Sequence, residues 1–302
     1  MTWLFALIAA AAVIFAFYER RRRKQLFSVT DMMLEQMLNR EKISVSAIRE
    51  GELSAVADKL MRLQERSEGE LARTLEEKEQ LNRRISDMSH QLKTPLSSVI
   101  MYSDLLQGEA SPEKKAHFAE RMKVQLDKLD WLLGSMFKMI GLEQNAIHIE
   151  PEYLPIRDTL LSAINSTYDK LEKKQMNVIT LPFEDIKLLH DRKWTAEVFV
   201  NIIENAVKYS QQESTIEIAV RPYELFTEIE FRDSGMGIRA EELTEIFKRF
   251  YRSKDVENLE GSGIGLYLSR LILEQEKGSI TVKSEYGKGS SFSVFLQNCQ
   301  DL

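Results

Sequence analysis

A short run that begins at His90 places a nucleophilic side chain beside a residue that bends helices. The imidazole stands four residues before the hydroxyl of Thr94 and five before Pro95. Positions i and i+4 share one face of a helix, so His90 and Thr94 are expected on the same face. Pro95 has no N–H to donate to the carbonyl of Gln91, and its ring crowds that carbonyl, so a bend is predicted there. Such a bend would expose the imidazole to a second protein.

A second group of polar residues follows on a predicted helix further along the chain. Asn201, Asn205 and Lys208 fall on one helix face by the i, i+3, i+4 rule. Amide oxygens suit the hard cation Mg²⁺, an ammonium suits a phosphate, and the ring of Tyr209 could pack against a base. Taken by itself, the cluster favours the alternative of buried or capping asparagines.

Three glycine-rich clusters come after that helix. Residues 233–238 follow a predicted strand, where Asp233 could accept a hydrogen bond from an exocyclic amine and the glycines would let backbone approach a flat ligand. Residues 261–266 lead into a helix, whose N-terminal N–H groups suit phosphates. Residues 287–292 precede the last predicted strand. Each cluster alone is also explained by a turn or loop, and no Rossmann βαβ unit surrounds the second.

The helices that must position His90 are predicted from a heptad pattern. From about residue 29 to residue 140 the sequence has little Gly or Pro, and apolar residues recur with coiled-coil spacing. The seam lapses at residues 67–69 and returns with Ile85 and Leu92 at position a, which puts His90 at the exposed position f. The first seam residues are Leu53, Val56, Leu60 and Leu63, and Met88 takes position d in the second.

A turn and a second helix complete a predicted hairpin. Residues 108–112 indicate a turn, with Ser111 as N-cap and Pro112 at the first helical position. A lone hairpin would leave much apolar surface in water, so a four-helix bundle formed by dimerisation is expected. A plain coiled-coil oligomer is the alternative, and it is favoured for residues 30–80. The stripe on the second helix is Met122, Leu126, Leu129, Leu133, Met136 and Ile140.

After Gly141 the pattern changes to mixed strands and helices, which predicts an α/β sandwich with helices on one face. The predicted strands are residues 146–150, 177–180, 215–220, 228–231, 279–283 and 291–296. The predicted helices are residues 157–174, 194–209, 240–247 and 264–276.

The composition limits what these elements can form. With 302 residues, the chain is long enough for about two domains and one substantial core. Its hydrophobic content of 43% is ordinary for a globular protein, and its net charge of −6 gives no argument for nucleic-acid binding. The single cysteine, Cys299, cannot form an internal disulfide, which is typical of a reducing compartment.

The first residues carry the pattern of a membrane anchor. Residues 3–18 are uncharged and almost wholly apolar, a helix length of about 25 Å. Five basic residues follow at 20–24, and the positive-inside rule keeps them in the cytoplasm. We expect a single-pass anchor in the cell membrane, with the N-terminus outside and everything from Glu19 onward in the cytoplasm. A cleaved signal peptide is the alternative, but signal peptides carry positive charge before the apolar core.

The order and spacing of these motifs together resemble bacterial two-component sensor histidine kinases over nearly everything after residue 70. Residues 90–96 are similar to that family's phosphoacceptor box, and residues 201–209 are similar to its asparagine box. The three glycine-rich clusters are similar to its glycine boxes. Residues 247–252 are similar to its phenylalanine box, at the start of an ATP lid.

The resemblance implies an α+β multidomain chain that ends in an α/β sandwich ATP-binding domain of the Bergerat type. This fold is shared with gyrase, the heat-shock ATPases and the mismatch-repair ATPases. The expected domains are a transmembrane anchor at 1–18, a helical or coiled-coil linker at 19–70, a dimerisation and histidine phosphotransfer domain at 71–145, and a catalytic ATP-binding domain at 146–302.

ATP and Mg²⁺ are the ligands that the resemblance implies for the C-terminal domain. Asn205, with Asn201, is expected to hold Mg²⁺, and Lys208 is expected to contact a phosphate. Asp233 is expected to recognise adenine, with Tyr209 near the base. The full set of expected ligand-binding residues is Asn201, Asn205, Lys208, Tyr209, Asp233, Gly235, Gly237, Arg252, Gly261, Gly263, Gly265 and Leu266.

The resemblance also implies the reaction. His90, as a neutral imidazole, is expected to attack the γ-phosphorus of ATP, and the phosphoryl group then passes to an aspartate of a response regulator receiver domain. Thr94 would orient water for dephosphorylation of that regulator. A mobile lid at about residues 251–262 would cover the nucleotide, with Arg252 neutralising phosphate charge.

Two residues affect how this site would work. The related hydrolytic ATPases carry a glutamate four residues before the metal-binding asparagine, where this chain has Asn201, so the site is expected to bind ATP without hydrolysing it directly. The kinase family usually has Glu or Asp straight after the phosphoacceptor, where this chain has Gln91. An amide can orient the imidazole but cannot act as a base near pH 7, so slow autophosphorylation is predicted.

Two alternatives remain for the function as a whole. One is a non-catalytic membrane adaptor, or pseudokinase, and the other is a phosphatase that rarely phosphorylates itself. We expect a homodimer that contacts membrane lipid and a response regulator. Its cue would come from the membrane, from a partner membrane protein such as a transporter, or from the cytoplasm through residues 25–70. The other histidines lack metal-ligand spacing and are interpreted as surface or strand residues: His117, His148 and His190.

Overall fold

The computed structural model describes residues 2–39, 52–108, 111–256 and 261–299, in two compact units, residues 1–86 and 87–302. The helices in these ranges are α1 (Thr2–Leu38), α2 (Glu52–Gln107), α3 (Pro112–Glu143), α4 (Ile156–Ser166), α5 (Tyr168–Lys173), α6 (Arg192–Tyr209) and α7 (Gly265–Gln275). The strands are β1 (Glu152–Pro155), β2 (Asn177–Thr180), β3 (Lys187–His190), β4 (Thr215–Pro222), β5 (Phe226–Arg232), β6 (Ser279–Glu285) and β7 (Gly289–Asn298).

The first unit contains α1 and the first part of α2. Met33 of α1 is buried and packs against Val29 of its own helix and against Leu60 and Met61 of α2. Leu60 is one of the predicted seam residues, so one position of the first seam lies in an apolar contact within the chain. The coiled-coil oligomer favoured for residues 30–80 stays a prediction.

Helix α1 covers most of the segment that was predicted to anchor the chain. Among the residues that the structure describes, no helix combines the length and the hydropathy that a membrane crossing requires. The anchor at residues 1–18 is therefore not confirmed. Residues 40–51 of the predicted linker and the side chain of Leu53 lie outside the described residues.

In the second unit, the end of α2 and the whole of α3 form the predicted hairpin. Helix α2 runs unbroken through Pro95, which is buried. Near the turn, the ring of Tyr102 lies 6.3 Å from the ring of Phe118 on α3. The predicted domain boundary at residue 70 falls inside α2, and it stays a prediction.

The start of α3 has the capping residues that the sequence predicts. The side chain of Ser111 accepts a hydrogen bond from the amide of Lys114, and Pro112 occupies the first helical turn, where its missing N–H has no partner to lose. Residues 109 and 110 of the predicted turn lie outside the described residues.

Within one chain, the face that α3 buries is not the apolar stripe that the heptad pattern assigns to the dimer interface. Leu132 and Met139 are 1% and 0% exposed and belong to the core of the C-terminal domain. Leu126 and Leu133 of the predicted stripe are 46% and 42% exposed, and Met136 is the stripe residue that is buried. The reason is that α3 packs along α7, so contact with the C-terminal domain decides which face is inside.

The C-terminal domain is the predicted α/β sandwich. Its strand order is β1-β3-β7-β5-β4-β2, with β6 also paired to β7, and the only parallel pair in the described sheet is β2 with β4. The middle of β4 and of β5 is buried, and the ring of Phe231 lies 5.2 Å from the ring of Phe199 on α6. On the polar face of the sheet, Arg221 forms ion pairs with Glu228 and Glu230.

The strand predicted at residues 146–150 is instead a turn that closes α3. The amides of Ala146 and Ile147 both donate to the carbonyl of Gly141, and the side chain of Ile147 lies where a side chain at Gly141 would begin. These local bonds satisfy the amides of residues 146 and 147 without a strand partner. The first strand is β1, and it pairs with β3, which the sequence pattern did not indicate.

Two predicted helices are also divided. The helix predicted at 157–174 breaks at Thr167, whose hydroxyl donates to the carbonyls of Ala163 and Ile164. Helices α4 and α5 lie on either side of this residue. The helix predicted at 240–247 is two short 3₁₀ turns, Ala240–Glu242 and Glu245–Phe247.

Candidate functional site

A cleft of about 1060 Å³ in the second unit is lined by residues of all four predicted clusters. Helix α6 forms one wall, the end of β5 forms the base, and the loop before α7 forms a second wall. The predicted site residues that line it are Asn201, Asn205, Lys208, Tyr209, Asp233, Gly237, Arg252, Gly261, Gly263, Gly265 and Leu266.

Helix α6 is amphipathic, and this places its polar residues in the cleft. Its N-cap, Asp191, accepts hydrogen bonds from the amides of Lys193 and Trp194 at 2.9 and 3.2 Å. One face of the helix lies in the core, with Phe199 and Ile203 completely buried. The opposite face therefore carries the predicted cluster towards the cleft.

Asp233 lies at the end of β5 and is held by two backbone amides. Its Oδ1 accepts from the amide of Gly235 at 2.8 Å and from the amide of Ser290 at 3.3 Å. Burial raises the pKa of the Asp233 carboxyl, and these two hydrogen bonds oppose that rise. Since both amides bind Oδ1, Oδ2 is the oxygen left to accept from an exocyclic amine.

Close backbone approach explains two of the glycines around Asp233. A side chain at Gly235, which does not line the cleft, would begin 2.8 Å from the carbonyl of Tyr209. Gly289 has a φ of +116°, and a side chain there would begin 2.2 Å from the carbonyl of Asp233. Gly289 and Ser290 were not predicted as site residues. The third glycine-rich cluster, residues 287–292, thus positions Asp233.

Lys208 connects the helix to the glycine-rich loop. Its Nζ donates to the hydroxyl of Tyr209 at 2.8 Å and lies 4.6 Å above that ring. A side chain at Gly261 would begin 2.5 Å from the same Nζ. Burial raises the pKa of the Tyr209 hydroxyl, which therefore stays neutral near pH 7. The ammonium thus lies where an anionic ligand over residues 261–265 would meet it.

The start of the predicted lid contacts the second glycine-rich cluster, residues 261–266. The amide of Phe250 donates to the carbonyl of Gly263 at 2.9 Å, and a side chain at Gly263 would overlap the carbonyl of Tyr251. Arg252 lines the cleft and donates to the carbonyl of Val256 at 2.7 Å. Residues 257–260 of the lid lie outside the described residues.

The cleft fits Mg²⁺ bound by amides better than a metal bound by a cluster of acids. In the described part of the chain, no group of three or more His, Cys, Asp or Glu side chains could hold a metal ion. Mg²⁺ keeps several waters and binds through few protein oxygens together with substrate phosphates. The amide side chains of Asn201 and Asn205, which both line the cleft, are oxygen donors of this kind.

His90 is exposed on α2, as its position f in the heptad predicts. The hydroxyl of Thr94 lies 3.5 Å from the carbonyl oxygen of His90, so the two residues share one turn of the helix. The side chain of Gln91, which follows His90, is half-buried. His90 is not among the residues that line the cleft. The structure therefore does not bring the predicted nucleophile into the predicted nucleotide site.

The hairpin reaches the cleft through α3 instead. Val124, Lys128, Trp131 and Leu132 of this helix line it. Sequence reasoning missed these residues because the heptad pattern assigned α3 to a dimer interface alone. The one available signal was that the apolar Trp131 and Leu132 lie beside the predicted stripe.

Polar contacts fasten α3 to the C-terminal domain. Lys138 donates to Glu197 of α6 at 2.7 Å. Glu143, at the end of α3, accepts from Arg249 and from the hydroxyl of Tyr267 on α7. The two side chains of the Glu143–Arg249 pair are 15% and 12% exposed. This partial burial makes the pair stronger than an exposed one.

His190 has a structural role. Its Nδ1 lies 2.9 Å from the carbonyl of Leu188, so that nitrogen carries the proton, and Nε2 can accept from the hydroxyl of Thr159 at 2.8 Å. Burial lowers the pKa of His190, which keeps the ring neutral. The interpretation of His190 as a strand residue is confirmed, and His117 and His148 are exposed.

The fold and the cleft define a nucleotide-binding α/β sandwich joined to a helical hairpin with an exposed histidine. Residues 190–299 match the family described as histidine kinase-, DNA gyrase B- and HSP90-like ATPase. Residues 80–139 match the His Kinase A (phospho-acceptor) domain. The chain belongs to the sensor histidine kinases.

Curated relatives cover the same region. Sensor protein RprX of Bacteroides fragilis is 26% identical over 222 residues, which are 70% of this chain and 42% of the relative. WalK of Staphylococcus epidermidis is 27% identical over 70% of this chain and 36% of its own length. The aerobic respiration control sensor protein ArcB of Escherichia coli is 30% identical over 70% of this chain and 28% of its own length. The chain thus spans less than half of each of these relatives.

Solved structures share the fold. The histidine kinase AdeS of Acinetobacter baumannii aligns with a TM-score of 0.59 at 18% identity, over 70% of this chain and 98% of AdeS. Histidine kinase ThkA, solved in complex with response regulator protein TrrA, aligns with a TM-score of 0.61 at 17% identity, over 77% of this chain and 66% of that one. Full-length ShkA, solved with AMPPNP, aligns with a TM-score of 0.53 at 18% identity, over 72% of this chain and 46% of ShkA.

Proposed function

We propose that this chain is an ATP-dependent protein-histidine kinase that phosphorylates itself on His90 and passes the phosphoryl group to a response regulator. The observation that carries the proposal is the combination within one unit of a cleft lined by Asn205, Lys208 and Asp233 with an exposed His90. A pseudokinase adaptor would not need this set of ligand-binding side chains. ThkA, which shares the fold, was solved with a response regulator.

The residues of the cleft suit ATP. Asp233 offers Oδ2 to the exocyclic amine of adenine, beside the neutral ring of Tyr209. Lys208 and the N–H groups at the start of α7 face the phosphates. Asn201 and Asn205 would hold Mg²⁺, which supplies charge neutralisation between the phosphates when it is bound.

The proposed transfer is a substitution at the γ-phosphorus followed by loss of a proton from the imidazole. A lone pair of the His90 imidazole forms a bond to the γ-phosphorus, the bond from that phosphorus to the bridging oxygen breaks, and ADP leaves with the electron pair. The imidazole then loses its ring proton to water or to a carboxylate, since Gln91 cannot take it near pH 7. Positioning and electrostatics carry most of the rate.

The second candidate function is a phosphatase that rarely phosphorylates itself, and Gln91 favours it. Without a base beside His90, phosphorylation is slowed, whereas Thr94 can still orient water towards a phosphorylated regulator. In this case the chain would remove phosphoryl groups faster than it supplies them. The rate of phosphoryl transfer to a receiver domain of a response regulator can be compared with the rate of its dephosphorylation. Faster dephosphorylation supports the phosphatase, and faster transfer supports the kinase.

We also propose that the chain acts as a homodimer. The supporting observation is the exposure of Leu126 and Leu133 on α3, together with Leu96 and Ile100 on α2. Apolar side chains on both helices of one hairpin are typical of a four-helix bundle formed by two chains.

Membrane attachment through residues 1–18, with the remaining domains in the cytoplasm, is part of the same proposal. Every side chain from Leu7 to Tyr18 is exposed on α1, and nearly all are apolar, a surface that favours lipid or a membrane partner protein such as a transporter. The basic residues 20–24 suit anionic headgroups. Carbonate washing of membranes tests this: the chain should stay bound, and an Ile14→Arg variant should be released more readily than Ile14→Leu. Recovery of the wild type in the soluble fraction would contradict it.

The kinase proposal is tested by incubating the full chain with Mg²⁺ and γ-labelled ATP. We expect an acid-labile, base-stable label that His90→Ala abolishes and that Asn205→Ala reduces strongly. His117→Ala is the matched control, because His117 is an exposed histidine on the other helix of the hairpin. Absence of label in the wild type, or label that persists in His90→Ala, would refute the proposal.

A further inference from the structure

Ser269 lies on α7, one turn after the glycine-rich loop, and it is completely buried. Its hydroxyl donates to the carbonyl of Gly265 at 3.0 Å. The side-chain nitrogen of Asn201 approaches both of these groups, at 3.3 Å from the Ser269 hydroxyl and 3.4 Å from the Gly265 carbonyl. The three groups form a closed set of hydrogen bonds that joins α7 to α6.

These contacts decide which way the amide of Asn201 faces. A carbonyl oxygen only accepts, so the amide atom that faces the Gly265 carbonyl must be the NH₂ group. The single hydroxyl hydrogen of Ser269 is directed at the same carbonyl, so this hydroxyl accepts from Asn201 and also requires the NH₂ group. Oδ1 is consequently the amide atom that these contacts leave available.

Gly265 leaves the room that this orientation needs. A side chain on Gly265 would begin 3.3 Å from Oδ1 of Asn201, which is tighter than ordinary van der Waals contact. Asn201 and Gly265 both line the cleft. The amide oxygen of Asn201 thus lies over the start of α7, beside the loop that faces the phosphates.

We propose that Ser269 is a positioning residue, which holds Asn201 with its oxygen rather than its nitrogen towards Mg²⁺. The inference rests on the proposed function, because it takes Asn201 as a ligand of Mg²⁺ bound with ATP. Mg²⁺ accepts oxygen ligands, and an amide turned by half a rotation would present an NH₂ group instead. Without the Ser269 hydroxyl, one of the two acceptors that oppose this rotation is lost.

A merely structural role for Ser269 predicts something different. A small buried hydroxyl that only joins α7 to α6 would change the stability of the domain, and it would affect nucleotide binding equally with and without Mg²⁺. A positioning role changes the concentration of Mg²⁺ that nucleotide binding requires. It leaves Mg²⁺-free binding unchanged, because the contacts of adenine with Asp233 do not involve Asn201.

The test uses the full chain, a non-hydrolysable ATP analogue and three variants. Ser269→Ala removes the hydroxyl. Ser269→Thr and Ser269→Val add nearly the same volume and differ in the hydroxyl, so any cost of overpacking is common to both. The measurements are the dissociation constant of the analogue across a Mg²⁺ titration and in EDTA, and the thermal midpoint without nucleotide.

We expect Ser269→Ala and Ser269→Val to need about 10-fold more Mg²⁺ for half-maximal tightening of analogue binding, the size typical for loss of an outer-shell partner. Ser269→Thr should behave like the wild type, and all four proteins should agree within about twofold in EDTA. A wild-type Mg²⁺ requirement in the Ala and Val variants would overturn the inference, and so would equal losses with and without Mg²⁺. Failure of the wild type itself to bind the analogue, or to respond to Mg²⁺, would instead refute the proposed function.

Discussion

At the scale of single residues, the proposed reaction depends on how His90 would lose a proton while it gains a phosphoryl group. His90 is exposed, and the side chain that follows it, Gln91, is half-buried. The amide of Gln91 can hold the imidazole by a hydrogen bond, but it has no basic lone pair near pH 7. The proposed reaction therefore needs water or a more distant carboxylate for this step.

Gln91→Glu should raise the autophosphorylation rate, by about 10- to 100-fold, because a carboxylate at this position can accept the proton. Initial rates with labelled ATP measure the effect, with Gln91→Met as a control of similar size that can neither orient nor deprotonate the ring. An unchanged or lower rate in the Glu variant would show that proton removal does not limit the reaction.

Glu276 gives the fold a pH dependence. Burial raises its pKa to about 7, against the hydrogen bonds from Thr195 and from the amide of Asp191, which lower it. In the unfolded chain the pKa of this carboxyl is near its ordinary value of 4.5. Between these two pKa values the folded chain holds more protons than the unfolded chain, so its free energy of unfolding falls as the pH rises. The loss is complete above pH 7 and amounts to at most about 3 kcal/mol.

Glu276→Gln should remove this dependence, because the amide oxygen can still accept both hydrogen bonds and carries no charge. Thermal midpoints at pH 5, 6, 7 and 8 measure it. The wild type should lose stability across this series relative to the variant, which should be the more stable of the two at pH 8. Parallel pH profiles would show that Glu276 does not titrate in this range.

At the scale of elements, α3 joins the two domains of the second unit and uses its two faces differently. One face packs on α7 and lines the cleft, and the other carries the exposed stripe. His90 lies outside the cleft in this arrangement. We therefore propose that transfer within one chain requires the C-terminal domain to leave α3, a movement that the Glu143–Arg249 pair opposes.

Glu143→Gln should raise the autophosphorylation rate by roughly 3- to 10-fold, because it leaves Arg249 without its charged partner and weakens docking by about 1 kcal/mol. Glu120→Gln, an exposed change on the same helix, is the control and should have no effect. A rate that is unchanged or lower in Glu143→Gln would mean that the docked arrangement does not restrain the reaction.

How far the sequence predicts these elements depends on whether the cause is local. The N-cap Ser111 and the polar face of α6 depend on neighbours within one turn, and both are confirmed. The pairing of β1 with β3 joins segments separated by more than thirty residues, so no local pattern indicates it. The buried face of α3 could not be predicted either, because the apolar surface it packs on belongs to a domain that follows in the chain.

In the candidate site, too, features with a local cause are predictable from the sequence and features that depend on distant segments are not. The spacing of Asn201, Asn205 and Lys208 is a helical property, so the sequence was sufficient to place them together. The contact of Gly289 with Asp233 crosses between strands β5 and β7 and depends on tertiary structure. For the same reason no local pattern indicated Ser269, whose partner Asn201 lies on another helix.

At the scale of the whole molecule, two copies of the hairpin are expected to pair through the exposed stripe. Replacing both Leu126 and Leu133 by Glu should convert a dimer into a monomer, because it places four like charges in the middle of the interface. Sedimentation of the full chain in detergent measures the change, with Asp127→Glu as a control on the same helix. A dimer that persists in the double variant would show that another surface holds the copies together.

We propose above all that ATP bound in the cleft phosphorylates His90. Mass spectrometry at neutral pH, after incubation of the full chain with Mg²⁺ and ATP, tests it most directly because it identifies the modified residue. We expect a phosphoryl group on the peptide that contains His90, and a strong reduction of this modification in Asn205→Ala. Nucleotide binding with an unmodified His90, or a phosphoryl group on another residue, would contradict it.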